Sequence, residues 1–145
     1  MESSAVQEEI FFRPATVDDV PRLQVMLEPF VKAHQLLRRS PEELSVLVRH
    51  GFIAECEGEI VGFSAIEIYS RKLAEIQSLA VAQGFQGKGI GKKLVRLCLD
   101  RARELDVMEV LAITSSEEFL RSCGFDYSLP DQKKAMFCQL RPRGH

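Results

Sequence analysis

Residues 77–94 read QSLAVAQGFQGKGIGKKL: an apolar run ending in Ala-Val, then a segment with four glycines and three lysines, then the start of a new apolar pattern. Glycine loses more conformational freedom on folding than any other residue. A cluster of them therefore marks backbone that turns through positive φ or comes very close to a partner. The lysines suggest that the partner is anionic. Downstream, Leu94, Leu97, Cys98, Ala102 and Leu105 recur at helical spacing, while Lys92, Lys93, Arg96, Arg101 and Arg103 take the other face, which predicts a helix from Gly89 to Leu105. Upstream, AEIQSLAV, residues 74–81, reads as a strand. A strand, a glycine turn and a helix in that order point successive backbone N–H groups at a helix N-terminus, where the macrodipole adds partial positive charge and a pyrophosphate can sit.

Two familiar phosphate loops are not met. The dinucleotide fingerprint G-x-G-x-x-G fails because Lys92 stands where Gly87 and Gly89 need a third glycine, and the P-loop pattern fails because Gly91-Lys92 is followed by Lys93 rather than Ser or Thr. What remains is Gln86-x-x-Gly89-x-Gly91 between a strand and a helix.

Working outward, IFFRPA reads as a first strand, and Thr16 with Asp19 makes a capping-box-like start for a helix carrying Val20, Leu23, Leu27 and Phe30. A second helix is marked by Ser40 as N-cap, Pro41 at the first helical position, Glu43 closing the box and Gly51 ending it. FIAECEGEIVGFSAIEIY is two β-rich runs joined at Glu57-Gly58, a hairpin. After the glycine loop and its helix, MEVLAIT reads as a strand, SSEEFLRSC as a short helix stopped by Gly124, and KKAMFCQL as a last strand. The order is β-α-α-β-β-β-α-β-α-β, a mixed α/β domain with antiparallel pairing in its first half and a parallel pair in its second. Residues 1–9 are expected to be a disordered tail and 10–145 a single domain.

Composition narrows the function classes. Hydrophobic residues at 46% and charged residues at 28% are those of a globular protein, and a net charge of -2 argues against broad nucleic-acid binding. The N-terminal MESSAVQEEI lacks the apolar run of a signal peptide and no segment is long enough to span a bilayer, so a cytoplasmic location without membrane attachment is expected. Cys56, Cys98, Cys123 and Cys138 are far apart with no C-x-x-C pair, and are read as reduced, mostly buried thiols with no metal site.

The loop, its flanking elements and the element order resemble the GNAT superfamily of acyl-CoA N-acyltransferases. Its acetyl-CoA signature is Gln or Arg, two residues, Gly, one residue, then Gly or Ala, after a strand ending in apolar-Ala-Val; Gln77 to Val81 followed by QGKGIG supplies both parts. EGEIVGFSAI and Cys123 to Phe125 look like further segments of the family. The resemblance implies a central mixed, mostly antiparallel sheet with a splayed parallel pair, flanked by helices. It implies a β-bulge in the AEIQSLAV strand and acetyl-CoA lying in the slit beside it as co-substrate. Contacts would come mainly from backbone at Leu79, Ala80 and Val81 and in the loop at Gln86, Gly87, Lys88, Gly89, Ile90, Gly91 and Lys92. Glu75 holds the place of the family's general base, which takes the proton of the attacking amine directly or through a water. The family's acid, a tyrosine, is replaced by Leu120; Tyr127 is a candidate approach from the next segment, and the acid stays unassigned.

Within the superfamily, LLRRSPEEL, AEIQSLAV and LPDQKKAMF resemble the acetyltransferase domain of N-acetylglutamate synthases. That implies a small-molecule amine as partner, an amino acid such as glutamate, and a link to arginine biosynthesis; a homodimer is left open. Arginine binds carboxylates bidentately, so one of Arg38 and Arg39 is expected to clamp the substrate carboxylate, with Ser78 on the strand also facing the substrate. Thr114-Ser115-Ser116 stands where the synthases carry Thr-Thr-Arg, and Phe137 and Cys138 stand where a Tyr-Asn pair is common, which weakens the expectation of glutamate specificity. Lys72, Lys133 and Lys134 are candidates for a second cation. Acetylation of another amine (a peptide N-terminus, a polyamine or a drug) and acyl-CoA binding without turnover are the alternatives.

Overall fold

A computed structural model of the chain describes residues 9–114, 116–131 and 135–142. Five strands form one sheet: β1 Phe11–Pro14, β2 Gly51–Cys56, β3 Glu59–Ile68, β4 Leu73–Val81 and β5 Glu109–Leu111, lying side by side in chain order. The first three neighbour pairs are antiparallel, and β4 with β5 is parallel. Among the described residues four α-helices flank the sheet: α1 Val20–Lys32, α2 Pro41–Leu47, α3 Ile90–Glu104 and α4 Glu117–Ser122. The predicted mixed α/β architecture with a parallel pair is therefore the one observed.

Local signals account for most boundaries. At α2 the Glu43 N–H donates to Ser40 Oγ at 3.1 Å and the Ser40 N–H donates to the Glu43 carboxylate at 2.7 Å, a reciprocal box that satisfies two otherwise orphan donors. Asp19 accepts from the Thr16 N–H at 2.8 Å, and a 3-10 turn, Val17–Asp19, precedes α1. Glu57 and Gly58 both have positive φ, 51° and 80°, the requirement of a two-residue hairpin turn that matches strand twist.

The sheet is packed on both faces. On one, Leu23, Leu27, Leu44, Leu47 and Val48 lie against Ile53, Phe63, Ala65 and Ala80. On the other, α3 buries Leu94, Val95, Cys98 and Ala102 against the sheet, with Ile66, Ile76, Leu79 and Val81 among its neighbours. Each buried Val, Leu, Ile or Phe among them contributes about 1.5–3 kcal/mol on burial. Gly62 is where helix meets strand most closely, since a Cβ there would lie 3.0 Å from Leu94 Cδ1 and 3.1 Å from Ile90 Cγ2.

Three expectations differ from the structure. The MEVLAIT strand shrinks to Glu109–Leu111, because β4 leaves its partner after Glu75 and a strand persists only where it is paired. The strand expected over KKAMFCQL is absent from its described part: Ala135 to Leu140 have no strand partner, with Met136 93% and Leu140 91% exposed, while Lys133 and Lys134 lie outside the described residues. Of the four cysteines only Cys56 and Cys98 are buried; Cys123 is half-buried and Cys138 is exposed, in a segment whose described residues are all exposed. The expected N-terminal tail lies, except for Glu9, outside the described residues. Among the described residues no helix is long and apolar enough to cross a membrane.

Candidate active site

The strand before the glycine loop is irregular where a cofactor would need it to be. Opposite β3, Gln77 faces Ala65 and Ala80 faces Phe63, so Ser78 and Leu79 together oppose Ser64. That count defines a β-bulge. Ser78 takes φ 58°, a left-handed conformation that side chains rarely adopt outside turns. One extra residue reverses the facing of every side chain after it. Before the bulge Ile76 points toward α3; after it Leu79 and Val81 do so, and Ala80 packs on the α1 and α2 side.

The parallel pair opens at the same place. β4 and β5 are in register only at Leu73 with Glu109, Ala74 with Val110 and Glu75 with Leu111. From Ile76 onward the β5 side of β4 has no strand partner, which leaves a slit lined by backbone donors and acceptors that an amide-bearing ligand can pair with.

The glycine loop closes the end of β4. Ala82 N–H donates to the Val61 carbonyl at 2.8 Å, and the Gln86 side-chain amide reaches back to the Val81 carbonyl at 3.0 Å, pinning the loop to the strand it leaves. Gly87 and Gly89 hold φ 78° and 83°, and a Cβ on either would meet nothing within 4 Å, so glycine is required there by backbone conformation and faces open space. Gly89 is the N-cap of α3, and the first helical hydrogen bond runs from Lys93 N–H to the Gly89 carbonyl at 3.1 Å. The N–H groups of Ile90, Gly91 and Lys92 are thereby left at the helix mouth for an anion. The side chains of Ala80 and Ile90 are 4% and 3% exposed, so of the expected cofactor contacts these two offer backbone alone. Lys88 lies over the Phe85 ring and Lys93 over Phe12, while Lys92 belongs to a second cleft of about 280 Å³ between α3 and α4, lined also by Arg96, Asp100, Arg103, Ser122 and Cys123, in which Arg103 is already paired with Asp100 at 2.8 Å. A larger hollow, about 650 Å³, is lined by α1 residues alone, from Gln24 to Lys32, and contains none of the bulge or loop residues.

On the sheet face toward α1 and α2, polar side chains meet that are far apart in sequence. Arg39 Nη2 donates to Gln77 Oε1 at 2.7 Å, Gln77 Nε2 donates to Glu67 Oε1 at 3.2 Å, and Tyr69 OH donates to Glu75 Oε1 at 2.5 Å. Gln77 Nε2 is also 3.5 Å from Tyr69 OH, so one amide joins the arginine to the carboxylate pair. Glu67 and Glu75 are direct cross-strand partners. Burial, and then the Glu75 carboxylate, push the Tyr69 phenol up to about 12, which keeps it a hydrogen-bond donor across the working range.

The two expected clamps part company here. Arg38 is engaged bidentately by Glu28 of α1, at 2.9 Å for both bonds, and its charge is already met. Arg39 turns to the sheet instead, and its Nε is buried without a hydrogen-bond partner. Tyr127 stays with α4: its phenol is raised by a hydrogen bond to Glu117 and its ring lies 5.2 Å from Arg121. Ser115 lies outside the described residues. Sequence reasoning missed Glu67, Tyr69 and Gln77. The hairpin register would have found the first two, since pairing Glu67 with Glu75 brings Tyr69 around the same turn. Among the described residues no three His, Cys, Asp or Glu side chains gather as a metal group.

Known proteins resemble the chain over most of its length. Residues 18–125 match the family model described as Acetyltransferase (GNAT) family. The chain is 34% identical over 113 residues to an uncharacterized N-acetyltransferase of Chlorobaculum tepidum, spanning 78% of this chain and 73% of that one. It is 27% identical over 128 residues to the amino-acid acetyltransferase of Pasteurella multocida, covering 84% of this chain but 29% of that longer protein. Among solved structures, N-acetylglutamate synthase from Neisseria gonorrhoeae complexed with coenzyme A and N-acetyl-glutamate superposes with TM-score 0.70 at 25% identity, over 80% of this chain and 28% of that one.

Proposed function

The chain belongs to the acetyltransferase (GNAT) family, and on that premise we propose that it moves the acetyl group of acetyl-CoA to the amino group of a small amino acid. The observation that carries the proposal is the bulge at Ser78. It stands between the anion-binding loop on one side and the Arg39, Gln77 and Glu75 side chains on the other, so cofactor and amine would meet there. In this reading the pyrophosphate sits on the N–H groups at the mouth of α3, with the lysine and arginine side chains of the α3–α4 cleft beside it for a further phosphate. The pantetheine amides pair with the unpartnered edge of β4. Backbone N–H groups at the bulge face the oxygen of the thioester carbonyl as it gains charge.

Glu75 accepts the proton that the ammonium must lose before its lone pair can attack. Attack forms the N–C bond, the C–S bond breaks, and the departing thiolate, whose thiol has a pKa near 8.5 when free, takes up the second proton that the nitrogen loses, so no enzymic acid is required. Arg39 takes the substrate carboxylate, because it is the arginine whose guanidinium faces the sheet with an unmet donor. Glutamate is the amino acid to which the synthase resemblance points, and a site with Arg39 as its one clamp for the α-carboxylate accepts other amino acids beside it.

The test is thiol release from acetyl-CoA against the common amino acids and polyamines. Arg39→Ala should raise KM for the amino acid about 30-fold, the equivalent of about 2 kcal/mol for a charged hydrogen-bonded pair, and Lys should restore it only in part. A clear preference for polyamines over every amino acid, or indifference of KM to Arg39, defeats the amino-acid reading.

A further inference from the structure

We infer that Glu67 is a specificity-determining residue that turns the site against amino acids with an anionic side chain and toward those whose side chain ends in a hydrogen-bond donor or a cation. The inference rests on the amino-acid reading above and refines it.

Glu67 and Glu75 stand directly opposite each other on antiparallel strands and on one face of the sheet. Like charges so placed are unfavourable, so the sheet gains nothing from Glu67. Its carboxylate is nevertheless held in place. Arginine can only donate, so Gln77 must turn its Oε1 to Arg39, and the amide then has no choice but to offer Nε2 to Glu67. Glu67 is therefore no farther from the clamp than one amide and two hydrogen bonds. A substrate whose carboxylate rests on Arg39 therefore lies on the same face of the sheet as Glu67, with one amide between them.

Charge then decides the order of substrates. The cluster joined by these hydrogen bonds holds one arginine, Arg39, against two carboxylates, Glu67 and Glu75. Arg38, which would have offset one of them, is taken by Glu28. The α-carboxylate of any amino acid uses Arg39, and a second carboxylate on the side chain meets the excess negative charge. A neutral amide of the same shape does not, and an ammonium is attracted.

Glutamate and glutamine, which differ in charge and hardly in shape, are the diagnostic pair, with ornithine as the cationic probe. For the parent, kcat/KM for glutamine should exceed that for glutamate by threefold to tenfold, ornithine should exceed both, and 0.5 M salt should compress the differences, because Glu67 is exposed. Glu67→Gln should raise the glutamate-to-glutamine ratio of kcat/KM by a similar factor, a ratio in which any change at Glu75 common to both substrates cancels. Glu67→Asp, which keeps the charge, should keep the parent order. A parent that prefers glutamate to glutamine, or a glutamate-to-glutamine ratio unmoved by Glu67→Gln, overturns the inference while leaving the amino-acid reading intact. Turnover of no amino acid at all overturns that reading and this inference with it.

Discussion

Two clusters of arginine and carboxylate lie on this small sheet, and they are built to different rules. At the β1 end, Arg13 donates to both oxygens of Asp19, at 2.9 and 2.7 Å, and to both of Glu55, at 3.0 and 3.2 Å. Arg22 adds a bond to Asp19 at 3.2 Å, and the Thr16 N–H another. Two arginines face two carboxylates, and Asp19 is 3% exposed. At the β4 end one arginine faces two carboxylates, with a guanidinium nitrogen unmet. The first cluster is saturated and ties β1, α1 and β2 together. The second is left incomplete, which is what the proposed amino-acid site requires. Saturation, rather than residue type, is what distinguishes the two clusters.

Breaking one cluster should touch catalysis and breaking the other stability. The largest effect is expected from Glu75→Gln, which keeps shape and removes the proton acceptor: turnover should fall on the order of 10²-fold with melting temperature and acetyl-CoA affinity nearly unchanged. That defect should shrink as pH rises and more of the amine is free. A pH–rate profile of parental height and shape would make Glu75 a bystander. Asp19→Ala should do the reverse, costing about 2–3 kcal/mol in denaturant unfolding while leaving kcat per folded molecule at the parent value. The Arg13 guanidinium holds the Asp19 carboxyl well below the usual carboxylate range. A depressed folded-state value means that its stabilisation is complete above the unfolded value of about 3.9 and drains away as pH falls below it. The parent should therefore lose stability below about pH 4 more steeply than Asp19→Ala, and parallel acid titrations would contradict this.

A smaller effect sharpens the contrast at the loop. Asn and Asp both tolerate the left-handed backbone of Gly89, and they differ only in charge. Gly89→Asp should weaken coenzyme A binding by about tenfold more than Gly89→Asn in calorimetry, since an anion at a helix N-terminus repels the phosphates it would displace. Equal affinities for the two would remove the loop from cofactor binding.

The helices and the hairpin were legible because their signals are local. Ser40, Pro41 and Glu43 lie within one turn, and Glu57-Gly58 is itself the hairpin turn. The slit was legible only through the resemblance, since a serine in left-handed backbone at Ser78 leaves no mark in composition or periodicity. The choice between Arg38 and Arg39 was beyond local reading. It depends on Glu28, ten residues before Arg38, and on Gln77, 38 residues after Arg39, and neighbouring arginines look alike until the partners are placed. The tail failed for the opposite reason: a β-rich segment reads as a strand whether or not anything is beside it to pair with.

The seat of α3 on Gly62 has a mechanical consequence for the slit. One wall, β3 and β4 with α3 clamped to them, is stiff, because there is no side chain at Gly62 to yield between helix and sheet. The other wall is a cantilever. β5 is anchored at its root, where Met108 and Glu109 donate to the carbonyls of Arg71 and Lys72 at 2.8 and 3.1 Å, and its far end beyond Leu111 has no strand beside it. Past Leu111 that wall is held by side-chain packing, Ala112 resting against the cluster around Cys98 and Ala102, so an acyl group bulkier than acetyl is expected to press on this stretch before it moves β4 or α3.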